Sequence, residues 1–414
     1  MKPAEVAMAA RARMTPTVVV VMLTLLLGIQ PVATDLYLPA LPSLRADLGT
    51  TMASAQLTLS ALIIAFGLAQ LVWGPLADRH GRRPVLLWGM ALFTLASALC
   101  AASTTIEALI VWRALQGIGM AAAVTCGRSM VRDLFQPHEG ARVMSRALGG
   151  LGVIAMLSPL IGGALVQRVS WHASVSATAV FGAATLAFIA LRYEETVPER
   201  NPLATRPRVL LANWAAVASN PTFRAWVVLL SCTYAGLFLF LAASSFVFID
   251  VLGSSRLAYG LLMATNSLVY IGGTWLCRRL LATHGLRRTV RLGGFFSIGG
   301  GLAAAALSLA GVHSVWAILI PQWAYSIGHG IHQPCGQAGA VGPFPEKAGT
   351  AAALSGFTMM VTAFCVGLWL GRSLNGTVYP LTLGMGVAGT AVALTAWTLV
   401  QRHGESRPAA AAPT

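Results

Sequence analysis

The sequence predicts an all-α integral membrane protein with twelve transmembrane helices in two pseudo-symmetric six-helix bundles. Three observations lead to this fold class. Hydrophobic residues make up 56% of the 414 residues, charged residues only 10%, and the mean hydropathy is +0.72. Twelve apolar stretches each have about 20 residues, the length of a helix that crosses a bilayer. The longest polar connection lies midway and separates six stretches from the other six.

We number these stretches span 1 to span 12 in chain order. They are expected at 16–38, 53–76, 84–104, 107–128, 144–167, 171–192, 223–249, 257–280, 290–311, 314–338, 348–371 and 377–401. The domains follow from this pattern: an N-terminal bundle over 1–192, a linker over 193–222, a C-terminal bundle over 223–401 and a disordered tail over 402–414.

The basic residues indicate which side of the membrane each loop faces. If both termini are cytoplasmic, 23 arginine and lysine residues fall in cytoplasmic segments and four fall outside. Because loops rich in lysine and arginine are retained in the cytoplasm, we expect a multi-pass membrane protein with both termini inside. The net charge of +15 is scattered in short clusters between apolar runs, which disfavours a nucleic-acid partner.

The sequence offers little support for a metal site or an enzyme. The six cysteines lie singly, without a C-x-x-C pair, so neither a disulfide framework nor a metal site is predicted. No G-x-S-x-G or H-E-x-x-H motif and no pair of intramembrane aspartates occurs in the spans. We expect no cofactor and no catalysis, and the absence of a charged ring or filter-like repeat disfavours a passive channel.

Asp35 and Arg113 are the strongest candidates for a functional site. Asp35 lies in the apolar segment TDLYLPALP of span 1, and Arg113 lies inside span 4 in VWRALQGIG, at a similar depth. A charge inside a span costs at least about 2.5–3.5 kcal/mol, so one that persists indicates function. We expect the two to pair. Two alternatives stay open: Asp35 in water at the helix end, and Arg113 as a structural tether to backbone carbonyls.

A charged turn, GPLADRHGRRP at residues 74–84, joins spans 2 and 3. Gly74 is expected to allow close helix approach, Asp78 to end the second helix and Gly81 to turn the chain. Three arginines would hold the turn in the cytoplasm: Arg79, Arg82 and Arg83. Asp133, at the same side, is expected to join a charge cluster with Arg79, Arg82 or Arg132. Residues 272–288 show a weaker echo without an acid that matches Asp78.

Other polar residues in the spans are candidates for lining a cavity, and each could equally join helices to one another. They are Tyr37, Gln56, Gln70, Asn266, Gln322, His329, His332 and Gln333. The two histidines are three residues apart on one helix, where they could line a cavity or form a second titrating group. In span 5, small residues around a proline predict a tightly packed hinge at Ser158, Pro159, Gly162 and Gly163.

Several of these motifs resemble those of a known family. GPLADRHGRRP is similar to the G-x-L-a-D-r-x-G-r-r signature of the major facilitator superfamily. The stretch from Pro159 to Gly163 resembles the G-x-x-x-G-P-x-x-G-G motif of its drug/proton antiporters, with Ile154 and Ser158 replacing two glycines. VWRALQGIG is similar to the fourth-span motif in which the arginine, here Arg113, is implicated in proton transfer. TDLYLPALP and the 333–357 region resemble the bicyclomycin/chloramphenicol-resistance branch.

The resemblance implies proton-driven efflux of small drugs across a bacterial cytoplasmic membrane by alternating access. Our own hypothesis from the intramembrane charge is that Asp35 carries the proton. Some relatives carry a second carboxylate two turns earlier, where this chain has leucines and Gly28, which favours neutral, zwitterionic or singly charged substrates. Asp78 is expected to latch the cytoplasmic side against the start of span 11, near Gly349 and Thr350. The alternatives are export of a physiological metabolite and proton-coupled import. A monomer is expected.

Overall fold

Long helices run through nearly the whole chain in this computed structural model, which describes residues 14–197 and 200–404. Within these two ranges no β-strand occurs. In the first half, span 1 forms the helix Pro16–Thr34, followed by a 3₁₀ turn at Leu38–Ala40 and a short helix at Leu41–Asp47. The other five spans form Met52–His80, Arg82–Ala101, Ile106–Leu134, Pro137–Arg168 and Trp171–Arg192.

The second half repeats this arrangement after a linker that contains the helix Pro207–Ala218. Span 7 is the helix Pro221–Ser245, which continues into a π-helical turn at Phe246–Val251. The remaining helices are Arg256–Leu309, Val315–Val341, Ala348–Ser373, Tyr379–Trp397 and the short Leu399–His403, with a 3₁₀ turn at Pro345–Lys347 before span 11.

The described residues form ten helices that are long and apolar enough to cross a membrane. One of them, Arg256–Leu309, has 54 residues and contains two spans, because Gly285 (φ 70°, ψ 176°) leaves the helical conformation between spans 8 and 9. Span 10, the 27-residue helix Val315–Val341, falls outside the ten because it carries glutamine and histidine residues. The fold class predicted from the sequence is therefore confirmed.

Besides Thr15 at the start of span 1, five helices begin at a serine or threonine whose hydroxyl oxygen accepts a hydrogen bond from the backbone N–H three residues later. These caps are Thr51, Thr105, Ser170, Ser255 and Ser314. Such caps satisfy one of the N–H groups that a helix start leaves free. All five stand at the start of an even-numbered span, so they mark one face of the protein, which we call the capped side. The opposite face, with Gly81 and the linker, is the linker side.

The two halves meet along two pairs of helices, span 2 with span 11 and span 5 with span 8. On the capped side, the Arg256 guanidinium donates to Ser43 Oγ at 2.7 Å, and the Leu257 N–H donates to Gln167 Oε1 at 2.9 Å. Arg45 and Asp250 form an ion pair there at 3.5 Å. Polar contacts thus hold the halves together at the capped side.

Several predicted boundaries need correction. Span 1 ends its regular helix at Thr34 rather than at 38, in front of the prolines at 39 and 42. The linker, predicted over 193–222 as a polar connection, contains a 12-residue helix, and span 7 already begins at Pro221. In the predicted disordered tail, Arg402 and His403 complete a helix. The remainder of that tail, 405–414, lies outside the described residues, as do 1–13.

Large apolar side chains point outward from the spans in both halves. Trp88 is 75% exposed, Leu191 81% and Val387 72%. Water would oppose such an arrangement, whereas the hydrocarbon chains of lipids are as apolar as these side chains. The exterior of the bundle therefore fits a lipid environment.

Candidate functional site

Asp35 lies where the regular helix of span 1 ends. Its backbone N–H donates to the carbonyl of Pro31 at 2.7 Å, and the Thr34 hydroxyl donates to its Oδ1 at 2.7 Å. The side chain is only partly buried. Two tyrosines of the second half, Tyr234 and Tyr259, are close enough to interact electrostatically with it. Asp35 thus presents a carboxylate at the boundary between the halves.

Arg113 lies inside the first half and is 1% exposed. Its Nη1 donates to the carbonyl of Ala33 at 3.0 Å and to Gln116 Oε1 at 2.6 Å. Its guanidinium stacks 4.1 Å from the centroid of the Tyr37 ring. No ion pair joins Arg113 to Asp35, both of which the structure describes, so the pairing predicted from the sequence is wrong.

Asp35 and Arg113 do not pair because of the directions in which their side chains point, and not because of their depths in the membrane. Asp35 and Tyr37 both have right-handed helical backbone angles. Side chains two residues apart on such a backbone point in roughly opposite directions. Since the Tyr37 ring packs against Arg113, Asp35 faces away from it. The observed geometry fits the alternative in which Arg113 is a structural tether to a backbone carbonyl.

Arg113 belongs to a polar chain that runs across four spans. Gln116 Nε2 donates to Ser97 Oγ at 2.7 Å, and the hydroxyls of Tyr37 and Thr58 lie 2.7 Å apart. Gln116, Ser97 and Thr58 are fully buried and were not among the predicted site residues. A signal for Gln116 existed, because it lies three residues after Arg113 and shares its helix face.

A second charged cluster lies at the turn between spans 2 and 3. Arg82 pairs with Asp78 at 2.7 Å and with Asp133 at 3.0 Å, while Arg132 is 4.0 Å from Asp133. The side chains of Arg82 and Asp133 are 5% and 8% exposed. The predicted cluster around Asp133 is present. The predicted latch of Asp78 on the start of span 11 is not formed, because the Asp78 carboxylate binds Arg82.

Glu195 completes this cluster and was missed by the sequence analysis. Its carboxylate accepts hydrogen bonds from the backbone N–H groups of Arg82 at 2.8 Å and Arg83 at 3.3 Å. It thereby caps the start of span 3. Gly81 has φ 104°, and a Cβ there would overlap the Glu195 carboxylate. No local pattern signals this contact, because Glu195 follows span 6, more than 100 residues later.

The other residues of the turn connect it to neighbouring segments. The Arg79 guanidinium donates to Thr205 Oγ1 in the linker, and Arg83 Nη2 donates to the Ala190 carbonyl at 3.2 Å. Gly74 does not bring a helix backbone close, contrary to prediction: a Cβ there would meet only the Thr125 methyl at 3.8 Å. The helix continues past Asp78 to His80, so Asp78 does not end it.

The glycines of span 5 allow it to contact both halves closely. A Cβ at Gly162 would overlap the Leu36 carbonyl in span 1, and one at Gly163 would overlap the Arg256 carbonyl at the start of span 8. The Pro159 carbonyl would be 2.5 Å from a Cβ at Gly260. The Ser158 hydroxyl donates to the Ile154 carbonyl at 2.7 Å within its own helix. The tight packing predicted for this stretch is present at the boundary of the halves.

In the second half, the predicted polar residues mostly join helices to one another. Ser326 donates to Asn266 Oδ1 at 2.7 Å and accepts from Gln322 Nε2 at 3.1 Å. His329 Nδ1 lies 3.0 Å from Thr233 Oγ1, and His332 Nε2 lies 3.1 Å from the Val290 carbonyl.

Both histidines are almost completely buried and contact different helices. They therefore belong to the packing of the second half. In the first half, Gln56 is fully buried and its amide has no partner among the described residues. In the second half, Gln333 is partly buried and its Oε1 has no such partner either. Among the described residues, no group of three or more histidine, cysteine or acidic side chains could hold a metal ion.

Gln70 lines a cavity of about 250 Å³ on the linker side. The cavity lies between spans 2 and 4 of the first half and the end of span 10 and start of span 11 in the second. Arg128 and Arg132 also line it. The Nε2 of Gln70 is buried and has no hydrogen-bond partner in the described chain.

The fold and the site define a membrane transporter: two six-helix bundles with an ionisable carboxylate where they meet. The chain belongs to the Major Facilitator Superfamily, whose family model matches residues 23–368.

Several proteins with resistance names are similar to this chain. It is 30% identical to "Multidrug resistance protein D" of Escherichia coli (strain K12) over 335 residues, covering 81% of this chain and 84% of the other. It is 24% identical to the "Bicyclomycin resistance protein homolog" of Haemophilus influenzae, covering 91% and 94%. It is 29% identical to a "Chloramphenicol resistance protein" of Pseudomonas aeruginosa, covering 77% and 75%.

Solved structures support the same fold. The crystal structure of the human organic anion transporter MFSD10 superposes with a TM-score of 0.71 at 18% identity, covering 93% of this chain and 99% of that one. A D-xylose-proton symporter gives a TM-score of 0.71 at 15% identity, covering 94% and 99%. At these identities the likeness concerns the fold alone.

Proposed function

We propose that this protein exports small drugs or antibiotics across a bacterial cytoplasmic membrane in exchange for protons. The observation that carries the proposal is the placement of Asp35. Asp35 is a partly buried residue at the boundary of the halves, and its carboxylate has no basic side chain within ion-pair distance among the described residues. An ionisable group at this place can bind and release a proton as the halves move. The resistance names of the relatives support a drug as cargo.

The proposed orientation places the linker side and both termini in the cytoplasm. The distribution of basic residues, 23 against four, supports this orientation. The moving units are residues 1–192 and 223–401, joined by the linker over 193–222. The protein works as a monomer, without a cofactor, and moves its substrate without converting it.

Arg113 acts in this proposal through the backbone of span 1. Its hydrogen bond to the Ala33 carbonyl fixes the end of the helix that presents Asp35. The Arg113 guanidinium also stacks on the ring of Tyr37, which fixes the chain two residues after Asp35. Arg113 is therefore a positioning residue, and the buried chain through Gln116 and Ser97 keeps it in place.

The transport cycle follows from these roles. Asp35 binds a proton from outside, and loss of its charge favours opening toward the cytoplasm. A drug then enters from the linker side, the proton leaves inward, and the loaded carrier opens outward. Contacts such as Arg256 with Ser43 hold the capped side closed when the linker side is accessible. The close packing of span 5 against spans 1 and 8 is the hinge of this movement.

The cluster of Arg82, Asp78 and Asp133 fixes the linker-side ends of spans 2, 3 and 4 to one another. Glu195 adds the end of span 6. We propose that this cluster holds these helices together, so that the first half moves as a rigid unit.

Everted membrane vesicles with an acidic interior test the proposal. Chloramphenicol, bicyclomycin, a monocationic dye and several amino acids are added in turn, and loss of the pH gradient is followed. The parent protein should dissipate the gradient on addition of at least one drug. Asp35→Asn, which keeps the size of the side chain and removes its titration, should abolish the response.

Glu107→Gln is the matched control, because Glu107 is an exposed carboxylate in the first turn of span 4. It should respond as the parent does. Full drug-evoked proton flux in Asp35→Asn would remove Asp35 from the mechanism. A response to amino acids alone would replace drug export with metabolite export.

A further inference from the structure

The cavity on the linker side has an uneven distribution of charge. Two arginines, Arg128 and Arg132, line it, and none of the acidic residues that the structure describes does. Arg128 is exposed to solvent and forms no hydrogen bond or ion pair with any described residue. Arg132 lies 4.0 Å from the carboxylate of Asp133, which already binds Arg82 at 3.0 Å. The cavity therefore carries positive charge that its own walls leave unbalanced.

The polar lining comes largely from one face of span 4. Thr125, Arg128, Ser129 and Arg132 lie three or four residues apart, the spacing that places helical side chains on one face. None of the described hydrogen bonds uses the hydroxyls of Thr125 or Ser129. Two guanidinium groups and two hydroxyls thus point into the same space and can all donate to one anion.

The opposite wall adds further donors. The 26-residue helix of span 11 begins there at Ala348, and no side chain caps its start. The first turn of a helix has free N–H groups and the positive end of the helix dipole. Arg132 reaches across to this start, where its Nη1 would lie 3.7 Å from a Cβ at Gly349.

Gln70 gives independent evidence for a ligand. The residue is 5% exposed and lines the cavity, yet its Nε2 has no partner in the part of the chain that the structure describes. A buried donor without an acceptor costs free energy, so such groups are normally satisfied. An acceptor placed in the cavity would supply the missing partner.

The rest of the lining is hydrocarbon. Val124, Val341, Ala348, Ala352 and Ala353 contribute apolar surface beside the donors. An inorganic anion would leave this surface exposed to water, whereas a molecule with an apolar body and one anionic group would cover it. A cavity of about 250 Å³ suits a molecule built on a single ring.

We propose that this cavity is an entry site for amphiphilic organic anions, with the carboxylate on Arg128 and Arg132 and an aromatic or aliphatic body against spans 10 and 11. The inference rests on the proposed function in that it names a substrate class for the exporter. The site opens on the linker side, so its ligand comes from the cytoplasm in the proposed orientation.

Equilibrium binding of benzoate and of its neutral isostere benzamide tests the site. The full-length protein is placed in phosphatidylcholine nanodiscs at pH 7, and both probes are titrated by saturation-transfer NMR. Benzoate should bind at least about tenfold more tightly than benzamide, because hydrogen bonds to charged groups contribute more than neutral ones. No pH gradient is present in this titration, so a failure of benzoate to bind would leave the proposed proton-driven export untouched. Conversely, the vesicle assay can fail while benzoate still binds.

Arg128→Gln should weaken benzoate binding at least about tenfold and leave benzamide unchanged, while Arg128→Lys should keep most of the affinity. Gln70→Leu should weaken benzoate roughly threefold or more through the loss of one donor. Arg208→Gln is the control, because Arg208 is an exposed arginine of the linker helix away from the cavity. It should bind both probes as the parent does.

Three outcomes would overturn the proposal. Equal affinity for benzoate and benzamide, or an unchanged benzoate affinity in Arg128→Gln, would show that the arginines do not bind the anion. The titration is then repeated in nanodiscs that contain phosphatidylglycerol. The proposal expects the benzoate affinity to stay within about twofold, whereas its loss would assign the cavity to the phosphate groups of anionic lipids.

Discussion

Two turns at equivalent places in the two halves share a backbone and differ in chemistry. Gly81 separates spans 2 and 3 with φ 104° and ψ 156°, and Gly285 separates spans 8 and 9 with φ 70° and ψ 176°. Both glycines follow a histidine and precede basic residues. Their backbone angles lie in a region that is essentially restricted to glycine. The tight reversal between paired helices therefore explains the glycine in each half.

The surroundings of the two glycines are different. Gly81 packs against Glu195, and the following Arg82 binds two carboxylates. At Gly285 a Cβ would meet nothing within 4 Å, and the following residue is the partly buried Leu286. The comparison shows that the charge cluster is not needed to make the turn. It is an addition of the first half, where it joins spans 2, 3 and 4 to the beginning of the linker.

The largest expected effect comes from removing the cation at the centre of the cluster. Arg82→Leu, which imitates Leu286, leaves Asp133 buried without its partner and should destabilise the fold by about 3–5 kcal/mol. The measurement is the apparent Tm of the purified protein in detergent. Arg83→Leu, at an exposed position, should change the stability by less than about 1 kcal/mol.

The double variant Arg82→Leu/Asp133→Leu sharpens this result. Replacing both buried charges with apolar side chains should restore most of the stability, because no buried charge is left unpaired. The carboxylate of Asp78, which also loses Arg82, is 45% exposed. An Arg82→Leu protein that melts at the parental temperature would show that the cluster contributes nothing to the fold.

The next effect compares the glycines directly. Gly81→Ala and Gly285→Ala should each cost about 1–3 kcal/mol from backbone strain. Gly81→Ala should be the more damaging of the two in thermal melts, because its Cβ also overlaps the Glu195 carboxylate. Equal losses of stability in the two variants would contradict the contact between Gly81 and Glu195.

The smallest effect is expected at the cap itself. Glu195→Ala removes the acceptor of the Arg82 and Arg83 N–H groups and should cost about 0.5–2 kcal/mol. In this background the added cost of Gly81→Ala should shrink, because the overlap is gone. A double-mutant cycle on the apparent stabilities measures this coupling, and strict additivity would refute it.

The architecture could be predicted because membrane insertion imposes a simple rule. The length of the apolar stretches predicted the spans, including the separation of spans 8 and 9 at Gly285. The charged turn predicted the cluster around Asp133. Helix ends were less predictable. The helix of span 2 continues to His80, beyond the predicted end at 76. Apolar length does not predict this end, because a helix can continue with polar residues outside the apolar surroundings.

The candidate site could be predicted only in part. The depth of Asp35 and Arg113 follows from their position in the sequence, but the direction of each side chain depends on how the helices rotate when they pack. Asp35 therefore faces the second half and Arg113 faces Tyr37. Glu195 could not be assigned for a similar reason, since its partners lie more than 100 residues earlier in the sequence. Gln116 could have been assigned, because it lies three residues after its partner Arg113.

The central claim is that Asp35 gives up its proton when substrate binds. The most direct measurement is proton release from the purified protein in weakly buffered detergent solution, on addition of the drug that dissipates the gradient in vesicles. The parent should release protons, and Asp35→Asn should release none while still binding the drug. Undiminished release from Asp35→Asn would show that the exchanged proton resides elsewhere in the protein.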